Sequence, residues 1–254
     1  MGKVFLVGAG PGAPDLLTLR AARLLESADV VFHDALVHPD TLALAARARR
    51  VDVGKRHGKV STEQRFINRA LVEAARNHAT VVRLKGGDPM LFGRAQEEID
   101  ALTAAGIDWE VVPGVSAALG AAASLGVSLT RRGIARTIAI VTPRVGRGES
   151  ASAWLPSAVA ADTLALYMAA GAAQAVAQAL IAAGKPATTP VALVENASLP
   201  GEARHLTTLG ELEREALPSA RGPVVMLVGE VLAESLAAFT LERAQCAPIF
   251  LHTA

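Results

Sequence analysis

Short apolar runs alternate with longer amphipathic segments through most of this chain, and this alternation constrains the fold more than any other feature. The run Lys3–Val7 ends at Gly8 and predicts a buried strand. Further strands are predicted in the first half at Asp29–His33, Thr80–Leu84 and Trp109–Val112. Helical patterns separate these strands, and such alternation is typical of α/β proteins.

The alternation restarts after Pro113-Gly114, which indicates a second domain. The strands predicted there are Thr137–Val141, Thr163–Met168, Val191–Glu195, Arg204–Thr208 and Pro223–Val228. The helices predicted along the whole chain are Asp15–Ser27, a segment from a Ser61–Gln64 capping box to about Asn77, Gly93–Ala105, Ala117–Leu125, Ala172–Ala183, Leu209–Leu217 and Glu230–Phe239. A chain of 254 residues is long enough for two domains of ordinary size. We therefore expect two α/β domains, 1–113 and 114–254, with a ligand cleft between them.

The segment Val82–Arg94 predicts where a ligand binds. Its apolar run stops at Gly86-Gly87, and the acidic Asp88 follows at once. Glycines let the backbone approach a ligand closely, and Asp88 places an anionic acceptor at that point. Open α/β sheets bind ligands at the carboxyl ends of their strands. The segment therefore predicts a small-molecule site after the strand Thr80–Leu84.

The positive charges are unevenly distributed, although the formal net charge is only +1. A net charge this small argues against charge-driven binding to nucleic acid. Between Arg47 and Arg94 basic residues are frequent, and a second group runs from Arg131 to Arg147. These residues are either solvated surface or a basic cleft for a polyanionic substrate, and the sequence leaves both interpretations open.

The glycine-rich turn Gly8-Ala-Gly-Pro-Gly12 suggests a dinucleotide site, but the pattern does not fit one. The dinucleotide fingerprint requires a third glycine where Ala13 stands. Pro14 also delays the following helix, which weakens a phosphate site at its N-terminus. The turn is either an ordinary strand end or, as we favour, a loop that lines a ligand.

Several polar residues follow predicted strands and have two interpretations each. Asp34 either caps a loop or accepts a proton. Lys55, in Gly54-Lys-Arg56, follows a further short strand between Asp29–His33 and Thr80–Leu84 and is either surface or part of an anion site. Arg94 and Glu97 share a helical face, so they form a simple ion pair or grip a substrate. Ser116 is either a helix N-cap or a donor to a ligand.

The remaining features bound the environment of the protein. Cys246 is the single cysteine, so an internal disulfide is not possible and a reducing compartment is expected. A strand follows Met1 almost directly, which does not match a signal peptide, and no apolar run reaches the length of a membrane span. The residues His33, His57 and His205 lack metal-ligand spacing, so no metal site is expected. We expect a cytoplasmic protein that binds neither membrane nor nucleic acid.

Taken in order, the motifs resemble the uroporphyrinogen-III C-methyltransferases of the tetrapyrrole methylase family over nearly the whole chain. The matching motifs are Val7-Gly-Ala-Gly-Pro-Gly12, His33-Asp-Ala-Leu-Val37, Gly54-Lys-Arg56, Val82–Arg94 with Glu97-Glu98, Val112-Pro-Gly-Val-Ser-Ala117, Gly126-x-x-Leu-Thr130, Tyr167-Met168, Asn196-Ala197 and Val228-Gly-Glu-Val231. Each motif is weak by itself, and the ordered set is highly specific.

The resemblance implies an enzyme that uses S-adenosyl-L-methionine as methyl donor and releases S-adenosyl-L-homocysteine. The implied reaction methylates carbons C2 and C7 of uroporphyrinogen III and gives precorrin-2, which feeds sirohaem, cobalamin or haem d1. The substrate carries eight carboxylates, which would give the basic clusters a purpose. A homodimer is also implied.

The resemblance also assigns site residues, position by position. Asp34 would be the proton acceptor and Lys55 the proton donor, while Arg94 and Glu97 would hold or help activate the tetrapyrrole. The implied donor-binding residues are Pro11, Gly86, Gly87, Asp88, Leu91, Ser116, Ala117, Met168 and Ala197.

Several positions depart from the family pattern and leave other functions open. Met90 replaces a usual Phe, and Ala95-Gln96 replaces a Gly-Gly pair. Arg131 and Pro143-Arg144 differ on the substrate side, so a methyltransferase that acts on a later precorrin is the nearest alternative. A nucleotide-dependent oxidoreductase is disfavoured by Ala13, and a non-catalytic tetrapyrrole-binding protein by Asp34, Lys55 and Asp88.

Overall fold

The computed structural model describes residues 1–54, 64–146, 153–215 and 220–246. By its internal contacts the chain divides into two units, Met1–Gly120 (unit 1) and Ala121–Ala254 (unit 2). The dividing point lies a few residues after Pro113-Gly114, the junction from which the two domains were inferred. The boundary at residue 113 and the ligand cleft between the domains stay predictions.

Unit 1 alternates strands with helices. Its strands are β1 (Lys3–Gly8), β2 (Val30–His33), β3 (Arg49–Asp52), β4 (Thr80–Lys85) and β5 (Asp108–Val112). Its helices are α1 (Leu19–Ser27), α2 (Pro39–Ala43), α3 (Gln64–Asn77), α4 (Ala95–Ala104) and α5 (Ala117–Leu125), of which α5 crosses into unit 2. The Thr18 hydroxyl accepts a hydrogen bond from the Ala21 N–H at 3.1 Å and caps the start of α1.

The five strands of unit 1 form one sheet in the order β3-β2-β4-β1-β5. Every neighbouring pair is parallel, so all five carboxyl ends lie along the same edge of the sheet, here called the carboxyl edge. The connection that leaves β1 runs across the sheet towards β2, and the connection that leaves β4 runs the opposite way towards β5. The carboxyl ends of these two neighbouring strands are therefore where an open α/β sheet offers a ligand site.

Helices cover both faces of this sheet. On one face, β1 and β4 contribute Val4 and Val81 to a core with residues of α3 and α4. On the other face, Val82 and Leu84 pack into a core that includes α1. Side chains alternate between the faces of a strand. Arg83 and Lys85 therefore share the α3 and α4 face with Val81, where water is excluded.

Unit 2 forms a second five-stranded sheet of mixed direction. Its strands are β6 (Ile138–Val141), β7 (Thr163–Tyr167), β8 (Pro190–Glu195), β9 (Ala203–Thr208) and β10 (Val224–Val228), in the order β6-β7-β10-β8-β9. Its further helices are α6 (Trp154–Ala160), α7 (Ala173–Ala182), α8 (Leu209–Arg214) and α9 (Ala233–Cys246). Strands β7 and β8 are both antiparallel to β10, so they point the same way.

The core of unit 2 is apolar. Met226 of the central strand β10 is fully buried among residues of β7, β8, α7 and α8. At the start of α8, Thr208 and Glu211 form a capping box in which each side chain bonds the other's backbone N–H. Burial of apolar side chains such as these is the main source of stability for such a sheet.

The structure confirms the predicted α/β class with two five-stranded sheets and corrects some elements. The helix predicted from Asp15 begins at Leu19, because Pro14–Leu16 forms a separate 3-10 turn. The sequence pattern did not indicate α2 or α6, which are five and seven residues long and carry no clear helical period. Ser61, in the predicted capping box, lies outside the described residues. None of the described helices is long and apolar enough to cross a membrane.

Candidate active site

The loops that follow β1, β4 and β5 pack against one another through their backbones. A side chain at Gly114 would collide with the Gly87 carbonyl oxygen, and one at Gly8 would come within 2.6 Å of the Gly114 backbone. Contacts this close exclude any Cβ atom. Glycine at positions 8 and 114 therefore lets three strand ends meet at the carboxyl edge.

Hydrogen bonds hold the same loops together. Gly10 and Gly87 form an isolated antiparallel bridge, in which the Gly87 N–H donates to the Gly10 carbonyl at 2.8 Å and the Gly10 N–H donates to the Gly87 carbonyl at 3.2 Å. Both residues have positive φ angles, +74° and +67°, which favour glycine. The predicted ligand loop after β1 is thus fixed to the Gly86-Gly87 turn after β4.

Asp88 ties the turn after β4 to the loop after β5. Its Oδ2 accepts the Gly114 N–H at 2.9 Å, and its Oδ1 accepts the Met90 N–H at 2.8 Å. An ionised carboxylate has about four acceptor positions, so two such bonds leave acceptor capacity for a further donor. The Asp88 side chain is held in one orientation by these backbone groups.

The backbone of Gly87 borders an open position beside α5. A Cβ added at Gly87 would meet only the Ala117 N at 3.9 Å and the Ser116 Cα at 4.0 Å. The predicted residues Gly87, Ser116 and Ala117 are therefore brought together around a space that a side chain would fill. Pro11 lies against the same helix, because a Cβ at Gly120 would come within 2.6 Å of the Pro11 ring.

Gly86 and Leu91 belong to the same turn. Gly86 follows Lys85, the last residue of β4, and the Leu91 N–H donates to the Asp88 carbonyl at 3.3 Å. The structure thus places Pro11, Gly86, Gly87, Asp88, Leu91, Ser116 and Ala117 along the carboxyl edge of unit 1.

Asp34 lies at the same edge, where β2 ends. Its Oδ1 accepts a hydrogen bond from Arg83 Nη2 at 2.6 Å, and its side chain keeps 29% of its surface exposed. A carboxylate held by a guanidinium and open to solvent can contact a ligand, which fits a proton acceptor.

Arg83 belongs to a buried charge cluster, which we define as Asp34, Arg83, Lys85 and Glu98. Glu98 Oε1 accepts from Arg83 Nε at 3.0 Å, and both Glu98 oxygens accept from Lys85 Nζ at 3.0 Å. Glu98 is fully buried, and the side chains of Arg83 and Lys85 are 3% and 4% exposed. With all four groups ionised, the cluster is electrically neutral.

The pKa values of the two cations of the cluster shift in opposite directions. Burial acts to lower the pKa of Arg83, but Asp34 and Glu98 outweigh it and the pKa is raised overall. Burial also lowers the pKa of Lys85, and the neighbouring Arg83 adds to this effect, although Glu98 opposes it. Arg83 therefore remains positively charged at neutral pH, and Lys85 loses its proton more readily than Arg83 does.

Arg94 and Glu97 form the ion pair that their spacing allows. Arg94 Nε and Nη2 donate to the two Glu97 oxygens at 2.6 and 2.7 Å. The hydrogen bond from Arg94 lowers the pKa of Glu97. Arg94 precedes α4 with a left-handed backbone and is 58% exposed, so its guanidinium remains accessible to an anion.

The remaining predicted site residues are Lys55, Met168 and Ala197. Lys55 is outside the described residues, although the adjoining Gly54 packs closely on Ala35, next to Asp34. Met168 and Ala197 belong to unit 2, where they follow β7 and β8 at the same edge of that sheet. Met168 has a φ of +56° and is 46% exposed, whereas Ala197 is buried.

The sequence interpretation missed the pairing of Arg83 and Lys85 with Glu98. It grouped both cations with a solvated surface or a basic cleft, and the surface interpretation is wrong because both are buried. The available signal was two cations at alternate positions of an otherwise apolar strand, since that spacing puts them on one buried face. Buried charges require partners, which the sequence alone did not identify.

Comparison with known proteins places this site in a family. The profile of the Tetrapyrrole (Corrin/Porphyrin) Methylases matches residues 3–213. The chain belongs to the tetrapyrrole methylase family. Within this family it is 46% identical over 231 residues to the uroporphyrinogen-III C-methyltransferase of Pseudomonas aeruginosa, covering 91% of this chain and 94% of that protein.

Solved structures of tetrapyrrole methylases share the fold. A uroporphyrin-III C-methyl transferase from Thermus thermophilus complexed with S-adenyl homocysteine is 41% identical, with a TM-score of 0.82, and covers 92% of this chain and 100% of that one. A cobalt precorrin-4 methyltransferase is 30% identical, with a TM-score of 0.80, and covers 91% of this chain and 95% of that one. The chain also spans about half the length of the siroheme synthases that it matches.

Proposed function

We propose that this tetrapyrrole methylase transfers methyl groups from S-adenosyl-L-methionine to carbons C2 and C7 of uroporphyrinogen III, giving precorrin-2. The observation that carries the proposal is the carboxyl edge of unit 1. It combines a glycine-lined turn with an anchored Asp88 and a partly exposed Asp34 held by Arg83. Similarity to uroporphyrinogen-III C-methyltransferases over almost the whole chain supports the substrate.

The donor side is assigned to the turn after β4 and the start of α5. The open position at Gly87, beside Ser116 and Ala117, fits the close approach of a flat or extended ligand. Asp88 keeps acceptor capacity for a ligand hydroxyl or ammonium group. Pro11, Gly86 and Leu91 would complete the lining, and Met168 and Ala197 are proposed as donor-binding residues of unit 2. When bound, S-adenosyl-L-methionine supplies a methyl group on a positively charged sulfur.

The substrate side is assigned to Asp34, Arg94 and Glu97. A new bond to a pyrrole carbon requires the macrocycle to lose a proton, and Asp34 is a partly exposed carboxylate that can accept it. Lys55 is proposed as the proton donor. Arg94 stays protonated at neutral pH, so its role is to bind a substrate carboxylate. Glu97 accepts two hydrogen bonds from the Arg94 guanidinium and orients it.

Transfer also depends on positioning. The reacting carbon must be held in line with the methyl group, and a fixed geometry of this kind contributes much of the rate in two-substrate reactions. The backbone bonds among the loops after β1, β4 and β5 keep the donor turn rigid. The homodimer and the cytoplasmic location expected from the sequence are part of this proposal.

The direct test is transfer of a labelled methyl group to uroporphyrinogen III by the purified protein. We expect a dimethylated product, loss of transfer in Asp34→Asn, and normal transfer in the control Asp40→Asn, whose exposed carboxylate lies outside the site. The second candidate is methylation of a later precorrin, favoured by the 30% identity to the cobalt precorrin-4 methyltransferase. Label transfer to a later precorrin, with none to uroporphyrinogen III, would establish that alternative.

The division into donor and substrate sides has its own test. Calorimetric titration with S-adenosyl-L-homocysteine should show that Asp88→Ala weakens binding far more than Asp34→Ala does. Equal losses in the two variants would contradict the separate roles.

A further inference from the structure

Glu98 is buried in the interior of unit 1, and it accepts hydrogen bonds from side chains that support the candidate site at the carboxyl edge. It is fully buried on α4 and accepts hydrogen bonds from Arg83, from Lys85 and, at 3.0 Å, from Gln64 Nε2 of α3. Arg83 in turn holds Asp34 at 2.6 Å. One carboxylate thus connects the central strand of the sheet, two helices and the proposed proton acceptor.

The guanidinium of Arg83 has little freedom to move. Nε donates to Glu98, Nη1 donates to the Leu84 carbonyl at 3.1 Å, and Nη2 donates to Asp34. A planar guanidinium bound on three sides fixes the direction from which it meets a carboxylate. The orientation of the Asp34 carboxylate therefore depends on where Glu98 holds Arg83.

The same buried carboxylate is linked to the Arg94–Glu97 pair. Glu98 follows Glu97 in the first turn of α4, and Asn68 Nδ2 donates to the Glu97 carbonyl at 3.0 Å while its Oδ1 accepts from Gln64. On the other side, the Lys85 stem would lie 3.1 Å from a Cβ at Gly93, directly before Arg94. The start of α4 and the loop before it are thus packed onto the groups that Glu98 binds.

We propose that Glu98 is a positioning residue for methyl transfer, which acts through Arg83 to orient Asp34 and anchors the start of α4 that carries Arg94 and Glu97. The inference rests on the proposed function, because it takes Asp34 as the proton acceptor. Glu98 itself touches neither substrate nor donor. Its effect reaches the reaction only through the groups that it holds.

The decisive variant is Glu98→Asp, which keeps the buried negative charge but retracts it from Arg83 by one methylene. A displacement of about 1 Å in a catalytic group can cost about 100-fold in rate. We expect kcat for methyl transfer to fall by about 10- to 100-fold through the displaced Asp34, a smaller rise in the KM for uroporphyrinogen III through Arg94, and unchanged S-adenosyl-L-homocysteine binding. Asp100→Asn, an exposed carboxylate on the same helix, is the matched control and should retain full activity.

A double-mutant cycle separates positioning from a structural role. Arg83→Lys keeps the charge but loses the guanidinium fork, so it should reduce kcat by itself. If Glu98 acts through Arg83, then adding Glu98→Asp to Arg83→Lys should lower kcat by less than about twofold more. Losses that multiply fully in the double variant, or an unchanged kcat in Glu98→Asp, would overturn the proposal.

The proposed function and this inference fail in different ways. An active Asp34→Asn variant would remove the assignment of the proton acceptor, whatever the Glu98 variants do. An inactive Asp34→Asn variant combined with independent effects of Glu98 and Arg83 would leave that assignment standing and reject the positioning role. Glu98→Gln is less informative, because it leaves two buried cations with only Asp34 to balance them, and it is expected to destabilise unit 1.

Discussion

The central strands of the two sheets have the same position in the strand order but differ in the polarity of their residues. β4 is the middle strand of unit 1 and β10 the middle strand of unit 2, and both are buried along nearly their whole length. β10 consists only of apolar residues, with Met226 fully buried. β4 carries Arg83 and Lys85 on one buried face, where they are neutralised by Glu98 and Asp34.

The difference shows that burial alone does not decide which residues a central strand carries. Replacing buried ion pairs by apolar groups of similar size is often neutral or stabilising, so the charges of β4 are not needed to hold a five-stranded sheet together. They lie at the end of the strand that reaches the carboxyl edge, beside the proposed donor turn and proton acceptor. We infer that the charges of β4 serve the candidate site of unit 1. The central strand of unit 2 carries no such charges and consists of apolar residues only.

Breaking the cluster at one point should have the largest effect on stability. Glu98→Leu removes the shared acceptor of Arg83 and Lys85 and leaves two buried cations with only Asp34 to balance them. Loss of one partner from a buried ion pair costs about 3–5 kcal/mol. We expect urea denaturation of the full chain to show a loss of this size, whereas the exposed Asp100→Asn should be neutral. A loss below about 1 kcal/mol would show that the cluster is solvated.

Giving β4 the chemistry of β10 tests the comparison directly. The triple variant Arg83→Met/Lys85→Met/Glu98→Leu removes two cations and one anion from the interior. We expect its free energy of unfolding to equal that of the natural protein or to exceed it by about 1–4 kcal/mol, while methyl transfer is lost. A stable triple variant that still transfers methyl groups at the natural rate would remove the functional reason for the charges.

A substitution in β10 should cost stability without touching the site chemistry. Met226→Ala leaves a cavity in a fully apolar core, and such truncations cost about 2–5 kcal/mol. Met226→Leu conserves volume and should cost less than about 1.5 kcal/mol. Denaturation midpoints of both variants measure the effect, and similar losses in the two would mean that shape rather than volume dominates at this position.

The sequence predicted most of the strands, and it placed the candidate site residues of unit 1 at strand ends, because both predictions follow from local patterns. An apolar run that ends in glycine and an acid marks a buried strand with a functional end, and Gly86-Gly87-Asp88 lies at such an end. Parallel alternation then brings Pro11, Asp34 and Ser116 to the same edge without further information. These residues could be grouped before any coordinates were known.

The contacts that support the site could not be predicted, because they join distant parts of the chain. Arg83 and Lys85 are 15 and 13 residues from Glu98, and which acid meets which base depends on how α4 packs on the sheet. The hydrogen bond from the Gly114 N–H to Asp88 depends in the same way on the approach of β5. Local pattern identifies the strand, and three-dimensional packing identifies the partner.

The loops at the carboxyl edge should tolerate an added side chain less well than the loops of unit 2. Gly114→Ala places a Cβ against the Gly87 carbonyl, whereas a Cβ at Gly171, in the 3-10 turn after β7, meets nothing within 4 Å among the described residues. Overpacking costs about 1–3 kcal/mol, so we expect Gly114→Ala to lose stability by this amount and also to weaken S-adenosyl-L-homocysteine binding. Gly171→Ala should be neutral or slightly stabilising. Equal effects in thermal unfolding and titration would contradict the tight packing of this edge.

Acid sensitivity at the surface of unit 2 should give the smallest effect and contrasts with the buried charges of unit 1. Asp162 is exposed before β7, and its Oδ2 accepts from the Arg136 N–H at 2.8 Å, the Thr137 N–H at 3.0 Å and the Thr137 hydroxyl at 2.8 Å. The backbone bond from Arg136, followed by the bonds from Thr137, lowers the pKa of Asp162 below its ordinary 3.8. A carboxylate with a depressed pKa stabilises the folded state at pH values above its ordinary pKa. This contribution is lost as the pH falls through the lower pKa of the folded state.

Asp162→Asn cannot ionise, so the pH dependence isolates the contribution of the carboxylate. We expect the natural protein to be more stable than the variant at about pH 6, with the difference narrowing as the pH falls below 3.8. Urea midpoints measured across this range check the prediction, and Asp100→Asn serves as the exposed control without backbone bonds to its carboxylate among the described contacts. A difference that stays constant across the range would mean that the hydrogen bonds to Asp162, and not its charge, stabilise the start of β6.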